Sequence, residues 1–182
     1  MTRIVAGAWG GRRLLVPSGD GTRPTSDRVR ESVFSALHGL LGEFDSLRVL
    51  DLYAGTGALG LEALSRGAAS CDFVEANAKA AAVVRANARE LGADTAVVHT
   101  MKAERFTSKA PYDLVFVDPP YAVTTDSLVA ILANLPLSDD ALVVVERSSR
   151  DTWYWPDSLV ALRDKKYGDT HVWYGERVPS HD

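Results

Sequence analysis

The chain has 182 residues, a net charge of −4, and 46% hydrophobic and 24% charged residues, which suits one globular domain with a full core. Its single cysteine, Cys71, excludes an internal disulfide, and no apolar run is long enough to span a bilayer. The four histidines are scattered without metal-ligand spacing, so we expect no metal site. We also expect no signal peptide and a cytoplasmic location.

Positive charge is concentrated at the N-terminal end. Residues 1–30 contain six arginines against two aspartates, a net charge of +4, and the remainder of the chain carries −8. A basic segment on an acidic body predicts that any polyanion binds locally, at this segment. The alternative is a solvated arginine-rich N-terminus without a binding role.

The chain opens with a predicted β-hairpin, in which residues 3–7 and 12–16 flank a glycine turn. This turn brings Trp9 close to Arg12 and Arg13, and such a set can stack on a base and neutralise phosphate. Trp9 could instead cap the core as a lid. A helix follows, from a cap at Thr25, Ser26 or Asp27 to about Leu41.

The next stretch predicts a ligand site. Residues 46–52 form a short apolar strand and residues 58–66 a helix, with Gly55, Gly57 and Gly60 at the turn between them. Strand, glycine loop and helix form a nucleotide-binding crevice, because glycine lets the backbone approach a ligand closely. The Gly-x-Gly-x-x-Gly spacing alone is a weak signal, shared with dinucleotide dehydrogenases and compatible with an ordinary strand–helix turn.

Two carboxylates make the prediction of a nucleotide site more specific. Asp51 ends the first strand, where it would repel a pyrophosphate and attract a cationic ligand. Glu75 ends the next predicted strand, residues 70–75, where it can accept hydrogen bonds from both hydroxyls of a ribose. A nucleoside with a positive tail and no phosphates satisfies both, which indicates S-adenosylmethionine.

A second motif follows another apolar strand, residues 112–118, which ends in Asp118-Pro119-Pro120-Tyr121. Two prolines exclude a continued strand or a helix interior, so they hold a rigid loop at the carboxyl edge of the sheet, beside the glycine turn. The motif resembles the amino-methyltransferase signature, in which Asp, Asn or Ser precedes Pro-Pro and an aromatic residue. The alternative for Asp118 is a simple strand-end cap.

Strands and helices alternate along the rest of the chain. Helices are predicted at residues 77–91 and 127–135, strands at 95–99 and 141–147, a short helix or turn at 102–106, and a terminal hairpin from 159–166 and 170–178. This alternation predicts an α/β fold with a doubly wound parallel sheet. Trp153, Trp155 and Trp173 are expected to pack on the face of the hairpin.

Together these residues resemble the RsmD family of bacterial 16S rRNA guanine-N2 methyltransferases. The similarity covers residues 3–7, 11–14, 23–31, 54–66 and 115–121, and its N-terminal part is the most specific. The resemblance implies a class I S-adenosylmethionine-dependent methyltransferase fold, Rossmann-like, with strand order 3-2-1-4-5-7-6. It further implies an N-terminal β-hairpin extension for RNA recognition (residues 1–24) before the catalytic domain (residues 25–182).

The implied reaction is methylation of the exocyclic N2 amine of one guanine in 16S rRNA, naked or within an assembling small subunit. The predicted catalytic residues are Asp118, Pro119, Pro120 and Tyr121. The predicted cofactor-binding residues are Asp51, Tyr53, Gly55, Thr56, Gly57, Glu75, Ala103 and Asp118. The predicted RNA-binding residues are Trp9, Arg12, Arg13, Arg23 and Arg28.

One position departs from the class I pattern. Many members place an acid or amide after the third strand to receive the adenine amino group, and this chain has Lys102 or Ala103 there. Adenine can then be held by a backbone group of Ala103 or by Glu104.

Three other functions compete with this interpretation. A DNA adenine-N6 or cytosine-N4 methyltransferase shares the Asp-Pro-Pro-Tyr motif, but the chain has no separate target-recognition domain. A dinucleotide-dependent oxidoreductase shares the glycine turn, but the Asp-Pro-Pro-Tyr motif argues against it. A non-catalytic nucleic-acid-binding module on the same scaffold is disfavoured by the intact Asp118 motif.

Overall fold

A computed structural model of the protein describes residues 2–17 and 26–179. The helices are α1 (Asp27–Leu41), α2 (Ala58–Ser65), α3 (Ala78–Leu91) and α4 (Thr125–Asn134), with a short 3-10 turn at Ala103–Arg105. The strands are β1 (Arg48–Asp51), β2 (Ser70–Glu75), β3 (Ala96–Thr100), β4 (Tyr112–Val117), β5 (Leu137–Ser148), β6 (Leu159–Tyr167) and β7 (Thr170–Arg177).

The strands form one sheet in the order β3-β2-β1-β4-β5-β7-β6, which confirms the predicted strand order. The first five strands in this order run parallel, and β7 pairs antiparallel with both β5 and β6. Asp51 at the end of β1 lies in register with Phe73 of β2 and Phe116 of β4. The residues that follow β1, β2 and β4 therefore meet at one edge of the sheet.

Helices cover both faces of the sheet. The apolar sides of α1, α2 and α3 pack on one face, against residues such as Phe73 and Phe116. Helix α4 packs on the other face, against residues such as Val115 and Val117. Because successive strand residues point to opposite faces, each central strand contributes to both layers and reads as a continuous apolar run.

The helix caps explain where the helices begin and end. Ser26, Asn77 and Thr124 precede α1, α3 and α4, and the side chain of each accepts a hydrogen bond from the backbone three residues on. Ser26 is thus the cap of α1, and Thr25 lies outside the described residues. Gly92 ends α3 in the left-handed conformation, with φ 73°.

The predicted starts of strands β1 and β5 were wrong by two and four residues, and α4 begins at Thr125, two residues before its predicted start. Strand β1 begins at Arg48 and not at Ser46, because Ser46 has a φ of 70° and belongs to the preceding turn. Strand β5 begins at Leu137 and not at Ala141, and it passes through an irregular segment in which Asp140 has a φ of 65°.

The N-terminal arm, residues 2–17, is only partly the predicted hairpin. A single bridge joins Arg3 to Arg13, flanked by hydrogen bonds such as Ile4 N to Arg12 O at 2.8 Å, and no regular strand forms there. Ile4 is fully buried in the core shared with the sheet. At Gly7, φ is +85° and a Cβ would lie 2.0 Å from the carbonyl oxygen of Ser65, so only glycine allows this close docking on α2.

A buried carboxylate holds the arm on α2. Glu62 is fully buried, and its two oxygens accept the amides of Val5 at 2.8 Å and Ala6 at 3.1 Å. The same oxygens receive the Nε atoms of Arg66 at 3.0 Å and Arg30 at 3.3 Å. Arg30, counted above with the basic N-terminal segment, is completely buried and therefore unavailable to a polyanion.

A buried amide joins the arm to the glycine loop. Asn87 of α3 is 2% exposed; its Nδ2 donates to the carbonyls of Leu15 at 3.1 Å and Thr56 at 3.2 Å. Its Oδ1 accepts the amide of Leu15 at 2.7 Å. One side chain therefore pairs with backbone hydrogen-bonding groups of both the arm and the glycine loop.

The three tryptophans pack as expected beside the terminal strands but remain half-buried. Trp153 contacts Trp155 edge-to-face at 5.2 Å and Trp173 at 6.4 Å between ring centroids. A Cβ at Gly175 of β7 would lie 2.7 Å from the Trp155 ring, so glycine makes room for that ring.

Candidate active site

A cavity of about 710 Å³ opens at the carboxyl edge of the parallel strands. The glycine loop and the residues after β2 and β3 line one side of it. The Asp118–Tyr121 loop, the end of β5, the β6–β7 turn and the start of α1 line the rest. The cavity lies where the strand order reverses between β1 and β4, which is the usual ligand position in such sheets. The two motifs identified in the sequence therefore share one site.

The three glycines of the loop have different roles. Gly55 lines the cavity with a φ of +56°, and Gly57 caps α2 with a φ of +81°. At Gly60, a Cβ would lie 2.3 Å from the Phe73 ring, so this glycine allows α2 to pack closely on β2. Only part of the motif therefore faces a ligand.

Six of the eight predicted cofactor-binding residues line the cavity: Tyr53, Gly55, Thr56, Glu75, Ala103 and Asp118. Gly57 and Asp51 are buried and lie outside the lining.

Asp51 holds the first turn of α2, directly after the glycine loop. It is 1% exposed, its Oδ2 accepts the amide of Gly60 at 3.0 Å, and its Oδ1 has no hydrogen-bond partner among the described residues. The pKa of Asp51 is raised to about 8: burial is the main cause, the hydrogen bond from Gly60 opposes the rise, and the charges of Asp118 and Glu75 add to it. A cation bound nearby would favour the ionised carboxylate.

Glu75 shapes the loop as well as lining the cavity. Its Oε1 accepts the amide of Gly55 at 2.9 Å, and its Oε2 accepts the amide of Asn77 at 2.8 Å. A carboxylate oxygen can accept two hydrogen bonds, so both oxygens retain capacity for ligand hydroxyls.

The wall after β3 has Lys102 and Ala103 where an acid or amide was expected, followed by Glu104. Ala103 is buried, and Lys102 and Glu104 beside it are exposed; all three line the cavity. The buried hydroxyl of Tyr53 has no hydrogen-bond partner among the described residues. The pKa of Tyr53 rises to about 12, chiefly through burial and then through Glu104, while Arg147 opposes the rise.

The Asp118–Tyr121 loop presents polar and aromatic groups to the cavity. Asp118 is half-buried directly after β4, Pro119 is buried, and Pro120 is exposed. The Tyr121 side chain is 69% exposed and is therefore accessible for stacking.

Sequence reasoning missed Arg147, which supports this loop. The side chain is 4% exposed, and its Nη2 donates to the carbonyl of Val123 at 2.7 Å. The pattern of residues 141–147 predicts only an apolar strand. A charged residue at the end of a buried strand was the available signal, because buried charges require partners.

The charged side chains that line the cavity are mostly acidic. Among the described residues they are the carboxylates of Glu75, Glu104, Asp118, Glu146 and Asp169 and the cations of Lys102 and Arg147. An excess of carboxylates disfavours a pyrophosphate and favours a ligand that carries positive charge.

The predicted RNA-binding residues differ in accessibility. Arg12, Arg13 and Arg28 are exposed, and Arg23 lies outside the described residues. Arg12 also donates from Nη2 to the carbonyl of Glu90 at 2.9 Å. Trp9 is half-buried and packs in part against the core, so its ring is not fully available to a base.

In the part of the chain that the structure describes, no group of three or more His, Cys, Asp or Glu side chains could hold a metal ion. No helix formed by these residues has the length and apolar character needed to cross a membrane.

Comparison with known proteins adds independent information. The family model described as Conserved hypothetical protein 95 matches residues 2–176. Ribosomal RNA small subunit methyltransferase D of Escherichia coli (strain K12) is 39% identical over 148 residues, covering 79% of this chain and 73% of that protein.

Solved structures agree with these matches. The Escherichia coli protein yhhF superposes with a TM-score of 0.84 at 36% identity, covering 97% of both chains. An RNA methyltransferase from Salinibacter ruber, solved with S-adenosyl-L-homocysteine, superposes with a TM-score of 0.67 at 17% identity over 88% of this chain and 97% of that one, a likeness of fold alone. The chain therefore has the class I methyltransferase fold and belongs to the Conserved hypothetical protein 95 family, the RsmD family predicted from its sequence.

Proposed function

We propose that this protein transfers a methyl group from S-adenosylmethionine to the exocyclic N2 amine of a guanine in 16S rRNA. The observation that carries the proposal is the cavity in which the glycine loop and the Asp118–Tyr121 loop meet. Membership of the family that includes the Escherichia coli small-subunit rRNA methyltransferase supports the substrate. We further propose that the reaction takes place in the cytoplasm, on rRNA that is naked or part of an assembling subunit.

The cavity suits the cofactor in charge and in hydrogen-bonding groups. The acidic lining favours a ligand with an ammonium and a sulfonium and without phosphates. Gly55 would allow its tail to approach the loop, Glu75 would accept its ribose hydroxyls, and the wall at Ala103 would receive its adenine. No metal is needed for this chemistry.

The target amine requires activation because its lone pair is delocalised into the purine ring and the nitrogen is planar. Hydrogen-bond acceptors on its two hydrogens favour the pyramidal nitrogen that attacks the methyl group. We assign this role to the carboxylate of Asp118 and the carbonyl of Pro119. Tyr121 would stack on the extruded base, whose unstacking costs a few kcal/mol. Methyl transfer is an in-line displacement, in which the N–C bond forms as the S–C bond breaks, S-adenosylhomocysteine leaves and the cationic amine releases one proton to solvent. Positioning therefore supplies most of the catalysis.

Replacing Glu75 with glutamine should weaken S-adenosylmethionine binding by about 1.5–3 kcal/mol, or roughly 10- to 150-fold in affinity. The amide keeps the shape of the side chain but replaces one acceptor oxygen by a donor NH2 group. That group cannot accept a hydrogen bond from a ribose hydroxyl or from a loop amide. Calorimetry with the cofactor measures the effect, and the exposed Glu43→Gln serves as the control. An unchanged dissociation constant, or tight NAD binding by the wild type, would contradict the assignment.

For RNA we propose that the N-terminal extension, residues 1–24, selects the substrate with help from Arg28. Removing the whole extension would take Ile4 out of the core and leave Glu62 without its amide partners, so point substitutions at the surface test this better. Arg12 and Arg13 are both exposed on the arm.

The double variant Arg12→Ala with Arg13→Ala should bind 16S rRNA more weakly. Each lost phosphate contact should reduce the slope of log affinity against log salt by about one. Lys165→Ala with Lys166→Ala removes the same charge from β6 and is the matched control. If the arm only packs on the core, the arginine double variant will lower the melting temperature and leave RNA affinity unchanged.

The proposed reaction is tested by mapping modified nucleotides in 16S rRNA from cells that lack the protein. One N2-methylguanosine should disappear and should return when the wild-type protein is restored, but not with Asp118→Ala. In vitro, transfer of labelled methyl should be compared on naked rRNA, small subunits and DNA. Transfer to adenine or cytosine of DNA alone would instead support a DNA methyltransferase.

A further inference from the structure

Arg147 has an unusual environment for an arginine. It lies near the end of β5, after the buried apolar residues Ala141–Val145, and its side chain is 4% exposed. A charged group so deeply buried requires defined partners. Its Nε lies 3.3 Å from Oδ2 of Asp151, four residues further along the chain, in an ion pair that lacks hydrogen-bond geometry.

The other partners of Arg147 are backbone carbonyls of the loop that carries Tyr121. Nη2 donates to the carbonyl of Val123 at 2.7 Å, and Nη1 donates to the carbonyl of Pro120 at 3.5 Å. The amide of Val123 also donates to the Pro120 carbonyl at 3.1 Å, which closes a turn over Tyr121. The guanidinium therefore holds both ends of this turn.

Tyr121 depends on its backbone for its position. Its side chain is 69% exposed, and extensive side-chain packing therefore cannot fix the ring. A planar guanidinium can bridge two carbonyls in a fixed geometry, which a lysine ammonium does less well.

We infer that Arg147 is a positioning residue that holds the Pro120–Val123 turn, so that Tyr121 is set to stack on the target base beside Asp118. The inference rests on the proposed function, and it adds a residue that acts through the loop and not on the substrate itself. Arg147 lines the same cavity, so its replacement also alters the cavity wall, and the tests must separate these two effects.

Hydrogen exchange of the RNA-free protein tests the structural half of the inference. In Arg147→Met, the amide of Val123, which donates to the Pro120 carbonyl, should exchange at least about tenfold faster, since a charge-assisted hydrogen bond holds the turn. Arg150→Met removes an exposed arginine nearby and should leave this exchange unchanged. Unaltered exchange in Arg147→Met would overturn the inference whether or not the proposed function holds.

A double-mutant cycle tests the catalytic half. Arg147→Met should lower kcat/KM for rRNA by about 100-fold, the size expected of a displaced contact. Arg147→Lys should recover part of this loss. If Arg147 acts through Tyr121, Arg147→Met combined with Tyr121→Ala should lose no more activity than the more impaired single variant.

Losses that simply multiply in the double variant would overturn the inference, and so would wild-type kcat/KM in Arg147→Met. If the wild-type protein itself methylates no 16S rRNA, the proposed function fails, while the exchange measurement still decides whether Arg147 holds the turn.

Discussion

Replacing Asp118 with alanine should abolish methyl transfer while leaving cofactor affinity within a few-fold of the wild type. In our proposal this carboxylate acts on the substrate amine, and the contacts to the cofactor come mainly from the glycine loop and Glu75. Loss of one preorganised electrostatic group at a reacting centre lowers kcat by about 10²–10³-fold. Asp118 is the main acceptor in our proposal, so its loss should lower kcat by about 10³-fold or more. Single-turnover transfer of labelled methyl measures the chemical step.

The control for this experiment is Asp157→Ala, which removes an exposed aspartate elsewhere on the protein. Calorimetry on both variants should show cofactor binding close to that of the wild type. Near-native turnover by Asp118→Ala would exclude the proposed mechanism. Tyr121→Ala should be milder, because a stacking contact contributes about 1–3 kcal/mol per base.

Replacing Glu62 with glutamine should destabilise the fold by about 3–5 kcal/mol. The substitution removes the negative charge that pairs with the buried guanidinium of Arg30. The amide group also cannot accept all four of the hydrogen bonds that the carboxylate receives. For a domain of this size, the melting temperature should fall by roughly 6–20 °C. Denaturant titration with an unchanged m-value would show that stability itself has changed.

Glu31→Gln makes the same chemical change at an exposed position of α1 and should alter stability by no more than about 0.5 kcal/mol. Equal unfolding midpoints for Glu62→Gln and the wild type would show that the ion pairs around Glu62 do not stabilise the fold.

The parallel sheet and both loops of the site follow from local patterns. Apolar runs such as residues 112–118, and glycines and prolines at fixed offsets, identify strands and the loops after them without reference to the rest of the chain. The family that these motifs resemble, and the strand order that the resemblance implies, are confirmed.

What the sequence did not reveal depends on partners far apart in the chain. The local sequence around Arg30 indicates one more N-terminal cation. In the structure Arg30 is buried and pairs with Glu62, which lies 32 residues away in the sequence. Arg147 is read as the end of an apolar strand, but carbonyls 24 and 27 residues earlier give it a role. Periodicity describes one element at a time, so it does not identify which polar groups will meet between elements.

The docking of the N-terminal arm has a consequence for the order in which the chain folds. The amide of Val5 donates to Glu62, which lies 57 residues later in the chain, and the amide of Leu15 donates to Asn87, which lies 72 residues later. At roughly 5–20 residues per second, Asn87 is synthesised about 4–14 s after Leu15. During that interval Ile4 and Leu14 have no core to enter. The arm is therefore fixed only after α3 has been synthesised, and chaperones that shield apolar side chains have seconds in which to bind it.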